Sequence, residues 1–188
     1  MAEVTINNSP FHVKSQITYP YGVEDSSYSC GYHTGVDIVS RGENNNLYPV
    51  ENGIVVYKNN TTDVALGVQV QILGESGKYW RYCHMVLNSN DNIDVGLEVT
   101  TNTKIGEMGA TGNVSGAHLH LECSTTQNWN CETFVNPCIE IGIPNEDNLI
   151  INYDGNITPE PPTPPILFKK KKFPWVIYAR KLRNKRSI

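Results

Sequence analysis

No stretch of this 188-residue chain is apolar for long enough to cross a membrane as a helix, which needs roughly 18 residues. Residues Met1 to Phe11 have neither a basic start nor an apolar core, so a classical secretory leader is not expected. Phe is scarce, with 4 against 10 Tyr, and 15 Gly plus 11 Pro interrupt the chain often, which argues against long helices and for strands joined by turns. The five cysteines form no paired C-x-x-C, so a zinc ribbon is excluded. Cys131 and Cys138 are near enough in sequence to bridge in an oxidising setting, the other reading being small buried thiols. Basic residues are rare over most of the length: positions 1–168 hold 6 Lys and Arg against 19 Asp and Glu, a net of −13. Positions 169–188 hold 9 Lys and Arg and no acid, so an acidic body carries a tail of +9.

What is present is a series of short strand signals. Tyr19–Gly22 reads Y-P-Y-G, a turn. A β-rich run from Tyr48 to Tyr57 ends at Asn59-Asn60. From Gly67 to Leu73, Val68, Val70 and Ile72 alternate with Gln69 and Gln71; the turn Gly74–Gly77 follows, then a return strand from Lys78 to Met85. A period of two puts Trp80, Tyr82 and His84 on one face and turns Cys83 to the other, away from any cleft that His84 faces, so Cys83 reads as core. Gly106, Gly109, Gly112 and Gly116 mark a loop, and Ala117–Glu122 resumes as a strand with His118 and His120 on one face. The organisation expected is an N-terminal segment (1–16), a domain (17–150), a Pro-rich linker (151–168) and a basic, apolar tail (169–188).

Four of the five histidines fall in three short patterns: His33-Thr34-Gly35-Val36-Asp37, Tyr82-Cys83-His84-Met85 and His118-Leu119-His120. Catalytic zinc takes three protein ligands, nitrogen or carboxylate oxygen, and keeps one position open. His33 and Asp37 can converge from one segment, and one histidine of the H-x-H pair can complete the set. The histidines left over suit proton transfer and oxyanion stabilisation. Each pattern alone is weak, because a single histidine is more often a surface or packing residue.

Their order and flanks are specific. Y-P-Y-G, G-Y-H-T-G-V-D-I at Gly31–Ile38, Y-P-V-E-N-G-I-V-V at Tyr48–Val56, Y-C-H-M, K-I-G-E-M-G-A-T-G-N-V-S-G-A-H-L-H-L-E at Lys104–Glu122 and F-V-N-P at Phe134–Pro137 together resemble the lysostaphin/LytM-type zinc endopeptidases, over roughly residues 17–137. The resemblance implies a mostly β fold, an antiparallel sheet forming a groove, with Zn2+ on His33, Asp37 and His120. It implies that His84 and His118 flank the reacting water. It also implies an extended peptidoglycan peptide, stem or cross-bridge, as substrate. Members often carry a tyrosine before the first metal histidine that stabilises the tetrahedral intermediate; Tyr21, Tyr28 and Tyr32 all qualify, and Tyr28 is favoured.

The C-terminal region lies outside the resemblance. Phe173, Trp175, Val176, Ile177 and Tyr178 stand among its charges, more large apolar residues than a solvating tail carries. Residues 166–188 are expected to dock on a partner protein such as a phage tail component, or to meet an anionic wall polymer, nucleic acid or membrane surface. Without a leader, the expected location is a virion, or release at lysis, with action on the cell wall from outside. The competing reading is a catalytically silent wall-binding or structural tail module on the same fold.

Overall fold

The computed structural model describes residues 2–155. The strands are β1 (Glu3–Ile6), β2 (Ser15–Tyr19), β3 (Val36–Ser40), β4 (Asn46–Leu47), β5 (Gly53–Asn59), β6 (Val68–Gly74), β7 (Tyr79–Met85), β8 (Glu98–Val99), β9 (Gly106–Glu107), β10 (Leu119–Ser124), β11 (Phe134–Val135) and β12 (Ile150–Tyr153). One short helix, α1 (Pro137–Ile141), is fixed by local chemistry: Asn136 caps it by accepting from the Cys138 amide at 2.9 Å, Pro137 opens it and Gly142 ends it in the left-handed region. Among the described residues no helix is long and apolar enough to cross a membrane.

The main sheet runs β1-β12-β2-β3-β10-β7-β6-β5-β8, with β11 added beside β10, and β4 and β9 form a separate pair. Every pairing is antiparallel except β1 with β12. Residues 3–6 and 150–153 therefore build one edge of the same sheet as the segment between them. No sequence signal marks this edge, because each strand is four residues long and its partner lies almost the whole chain away.

Register divides the sheet into two unlike faces, since residues directly opposite one another point to the same side. Ile38 pairs with Leu119 and with Ile17, Leu121 with Val36 and Tyr82, and Cys123 with Trp80. These side chains are all buried and form the apolar core. The hydroxyl of Tyr82 lies inside this core and accepts from the Val50 amide at 2.9 Å. On the opposite face, Asp37 pairs with His120, His120 with Cys83, Glu122 with Arg81, and Arg81 with Gln71. The loop after β10 covers part of this polar row. Its Trp129 lies under the Arg81 guanidinium, 4.1 Å from ring centroid to Cζ, and donates to Gln71 Oε1 at 3.0 Å.

Two expectations are corrected. The Cys131–Cys138 bridge does not form: Cys131 is bonded to Cys30, 101 residues away, and Cys138 is a buried free thiol in α1. The loop carrying Cys131 folds back toward the segment before β3, where Tyr32 Oη also donates to the Cys131 carbonyl at 2.8 Å, whereas α1 turns Cys138 into the core. Nor does a period of two hold to the end of β7. Cys83 shares the face of His120, although it is fully buried as expected of core.

Candidate metal centre and cleft

The Y-P-Y-G turn and the segment before β3 close around His33. Its amide and carbonyl bond to the Val23 carbonyl and the Gly22 amide, each at 2.9 Å, and its Nδ1 donates to the Pro20 carbonyl at 2.8 Å. That bond leaves Nε2 as the free lone pair. Asp37 on β3 and His120 on β10 are brought opposite each other by the sheet register. Gly35 lets β3 lie this close: a Cβ there would stand 2.6 Å from the Leu121 carbonyl and 2.8 Å from His120 Cε1.

Three donor atoms converge. His33 Nε2 lies 3.0 Å from His120 Nδ1 and 3.2 Å from Asp37 Oδ1, and His120 Nδ1 lies 2.8 Å from Asp37 Oδ1. Tetrahedral zinc ligands at about 2.0–2.1 Å from the metal stand about 3.3 Å apart, so the set fits zinc after small adjustments. Two imidazoles and one carboxylate also suit the ion chemically.

Glu122 completes the support. It is buried, accepts from Thr34 Oγ1 at 2.6 Å and from the Arg81 guanidinium, and its Oε1 lies 3.3 Å from His120 Nε2. A carboxylate on the far nitrogen of a ligand histidine fixes the tautomer and raises its basicity. In the metal-free protein, burial disfavours the charged form of His120, but its hydrogen bonds to Asp37 and Glu122 prevail and raise its pKa to about 9. Burial likewise opposes ionisation of both carboxylates and is outweighed by their histidine partners, leaving Asp37 well below the usual range and Glu122 at about 2.

His84 reaches the same face by a β-bulge. Val68 pairs with Met85 and Val70 with Tyr82, so Cys83 and His84 together oppose Gln69 alone, and His84 has a left-handed backbone (φ 60°). Simple alternation would have put His84 with Tyr82 in the core. The bulge instead sets its ring 4.9 Å from that of His118 and 5.8 Å from that of His120. Its Nδ1 donates to the Thr111 carbonyl at 2.9 Å, and burial lowers its pKa to about 4, so it is neutral at neutral pH. His118, just before β10, donates from Nδ1 to the Gly116 carbonyl at 2.9 Å and places Nε2 3.6 Å from Asp37 Oδ1.

A cleft of about 310 Å³ opens beside this group, lined by Thr18, Tyr19, Tyr28, Asp37, His118 and the 115–117 loop. Of the three tyrosines considered from sequence, only Tyr28 lines it, with its ring 5.3 Å from that of His33. Burial, then the Asp37 charge, push the Tyr28 phenol up to about 12, so it stays protonated. Tyr21 and Tyr32 pack edge-on against each other and turn their hydroxyls to the carbonyls of Phe134 and Cys131.

A model of peptidase family M23 matches residues 31–133, more than half of the chain. The chain belongs to peptidase family M23. Solved structures agree with this M23 fold. The catalytic domain of lysostaphin from Staphylococcus simulans is 24% identical, over 66% of this chain and 90% of that one, with a TM-score of 0.56. LytU is 26% identical, over 67% of this chain and 83% of that one, with a TM-score of 0.55. A zinc-containing peptidase from Vibrio cholerae is 26% identical over 64% of this chain but only 37% of that one, with a TM-score of 0.50. The fold of this M23 member is thus lysostaphin-like.

Sequence reasoning passed over four residues near the site. Glu122 carried a usable signal: in H-L-H-L-E the period of two that pairs His118 with His120 also sets Glu122 on their face. Tyr19 stands in the Y-P-Y-G turn already noted, and its ring lies 4.9 Å from that of His33. Arg81 and Thr34 carried none, because their shared bond to Glu122 joins three separate strands or loops.

Proposed function

We propose that this chain is a zinc-dependent endopeptidase that hydrolyses peptide bonds in bacterial peptidoglycan. The observation that carries the reading is the convergence of His33 Nε2, Asp37 Oδ1 and His120 Nδ1 beside an open cleft that His118 also lines. Membership of family M23 supports the same class of chemistry. His33, Asp37 and His120 would hold the metal. Zinc in such a set supplies Lewis-acid polarisation and a nucleophile at neutral pH.

The remaining roles follow from tautomers. His84 and His118 each commit Nδ1–H to a backbone carbonyl, which leaves Nε2 as the ring nitrogen that can exchange a proton with substrate. In this reading they take a proton from the attacking water and return one to the leaving amine. Tyr28, protonated up to about pH 12, would donate to the carbonyl oxygen as negative charge develops there. Glu122 and Arg81 would act one step back, by holding His120.

Digestion of defined peptidoglycans, with mass analysis of the fragments, tests the proposal. New amino termini released by the wild type but not by His120→Ala support it. Failure of zinc-loaded wild type to cut any wall type would leave the silent binding module in its place. The proposal extends to a particle-borne enzyme that opens the wall locally during infection. Its support is the contrast between an acidic body and a tail of +9 interleaved with aromatic residues, which suits docking on another surface. That tail lies outside the described residues. Mass spectrometry of purified particles that lack the chain would remove this extension.

A further inference from the structure

The bulge that aims His84 has a support of its own. Val68 faces Met85 where the ladder between β6 and β7 ends, beside the bulge. There the Thr111 hydroxyl links the two strands, accepting from the Val68 amide at 3.0 Å and donating to the Met85 carbonyl at 2.7 Å. A polar hydroxyl thus satisfies two backbone groups that the bulge would otherwise leave unpaired. The carbonyl of the same residue is the acceptor for His84 Nδ1 at 2.9 Å.

Close packing holds Thr111 in place. Gly67, with φ +58°, lies against it so tightly that a Cβ there would overlap the Thr111 carbonyl. The His84 amide donates to the Leu66 carbonyl at 3.0 Å, so the backbone of His84 is tied to the same entry into β6. One residue therefore props the bulge with its side chain and orients the imidazole with its main chain.

We propose that Thr111 is a positioning residue whose hydroxyl, inserted between β6 and β7, maintains the bulge and thereby the direction and tautomer of His84. This rests on the reading of His84 as a proton-transfer group of the peptidase. Thr111 touches neither the three ligand atoms nor the cleft, so it acts only through His84.

The test compares Thr111→Val, which keeps the branched shape but loses the hydroxyl, with Thr111→Ser, which keeps the hydroxyl, in the full-length chain. Long-range proton–nitrogen NMR of the zinc-loaded protein reads the His84 tautomer directly. Wild type and Thr111→Ser should show His84 protonated on Nδ1 alone; Thr111→Val should show mixed tautomers. Its kcat should fall about 10- to 100-fold, the cost of a displaced acid–base group, with KM and zinc content within about twofold of wild type. The Ser variant should recover kcat to within about threefold. A folded Val variant with wild-type His84 signals and kcat would overturn the proposal, as would a Ser variant as impaired as Val. If Thr111→Val does not fold, Thr111→Ala replaces it against Ser, and equal behaviour of that pair overturns the proposal. The NMR comparison needs no turnover: a wild type that cuts no peptidoglycan would end the peptidase reading and leave the Thr111–His84 coupling to the spectra.

Discussion

Substituting Glu122 should weaken zinc binding without touching a ligand atom. Its side chain is 1% exposed, and its carboxylate meets Thr34, Arg81 and His120. Glu122→Gln keeps the shape and one acceptor oxygen but removes the charge opposite the His120 Nε2–H, so Nδ1 becomes a poorer donor. Loss of such a partner typically costs 10- to 100-fold in metal affinity, or about 1.4–2.7 kcal/mol. Glu122→Leu should do more. It strands the Arg81 guanidinium, itself only 12% exposed, and removing one member of a buried pair costs about 3–5 kcal/mol of stability. Competition against a chromogenic chelator gives the zinc dissociation constant, and thermal unfolding of the metal-free protein separates affinity from stability. A folded Glu122→Gln variant with wild-type zinc affinity would refute the argument that Glu122 tunes His120.

Three further outcomes are expected. Wild type should hold about one zinc per chain by elemental analysis, and His33→Ala and Asp37→Ala should each lose it; full occupancy in both would refute the ligand assignment. Tyr28→Phe should lower kcat about 10²- to 10³-fold, the usual cost of one lost oxyanion donor, with zinc content unchanged; a kcat within about threefold of wild type would remove Tyr28 from the mechanism. Replacing Cys30 and Cys131 together by Ser should destabilise the protein by about 2–5 kcal/mol, because the bond closes a loop spanning 101 residues. Denaturant midpoints indistinguishable from wild type would show that the loops hold without it.

Much of this was legible in the sequence. The alternation in β6, the turn Gly74–Gly77 and the return strand β7 stood out because each depends on neighbouring residues. The grouping of His33 with Asp37 depends on a four-residue spacing, and that of His118 with His120 on a spacing of two. Such short-range geometry is set by backbone stereochemistry and leaves a pattern. The family resemblance then joined these pieces in order.

Other features had no local signature. Cys30 finds Cys131 rather than Cys138 because two loops meet above the sheet. β12 pairs with β2 and leaves its other side for β1, which closes that edge of the sheet although the two lie at opposite ends of the described chain. His84 is the sharpest case. Alternation puts it on the face of Trp80 and Tyr82, which the fold buries as core, and a single extra residue opposite Gln69, propped by the Thr111 hydroxyl, turns it to the face of His120. By itself the sequence determined which residue types could make a zinc site and which strands they lie on or beside. Only the tertiary structure decided which faces they share and which second partners hold their tautomers, because register, bulges and buried hydrogen bonds arise between segments that are distant in the chain.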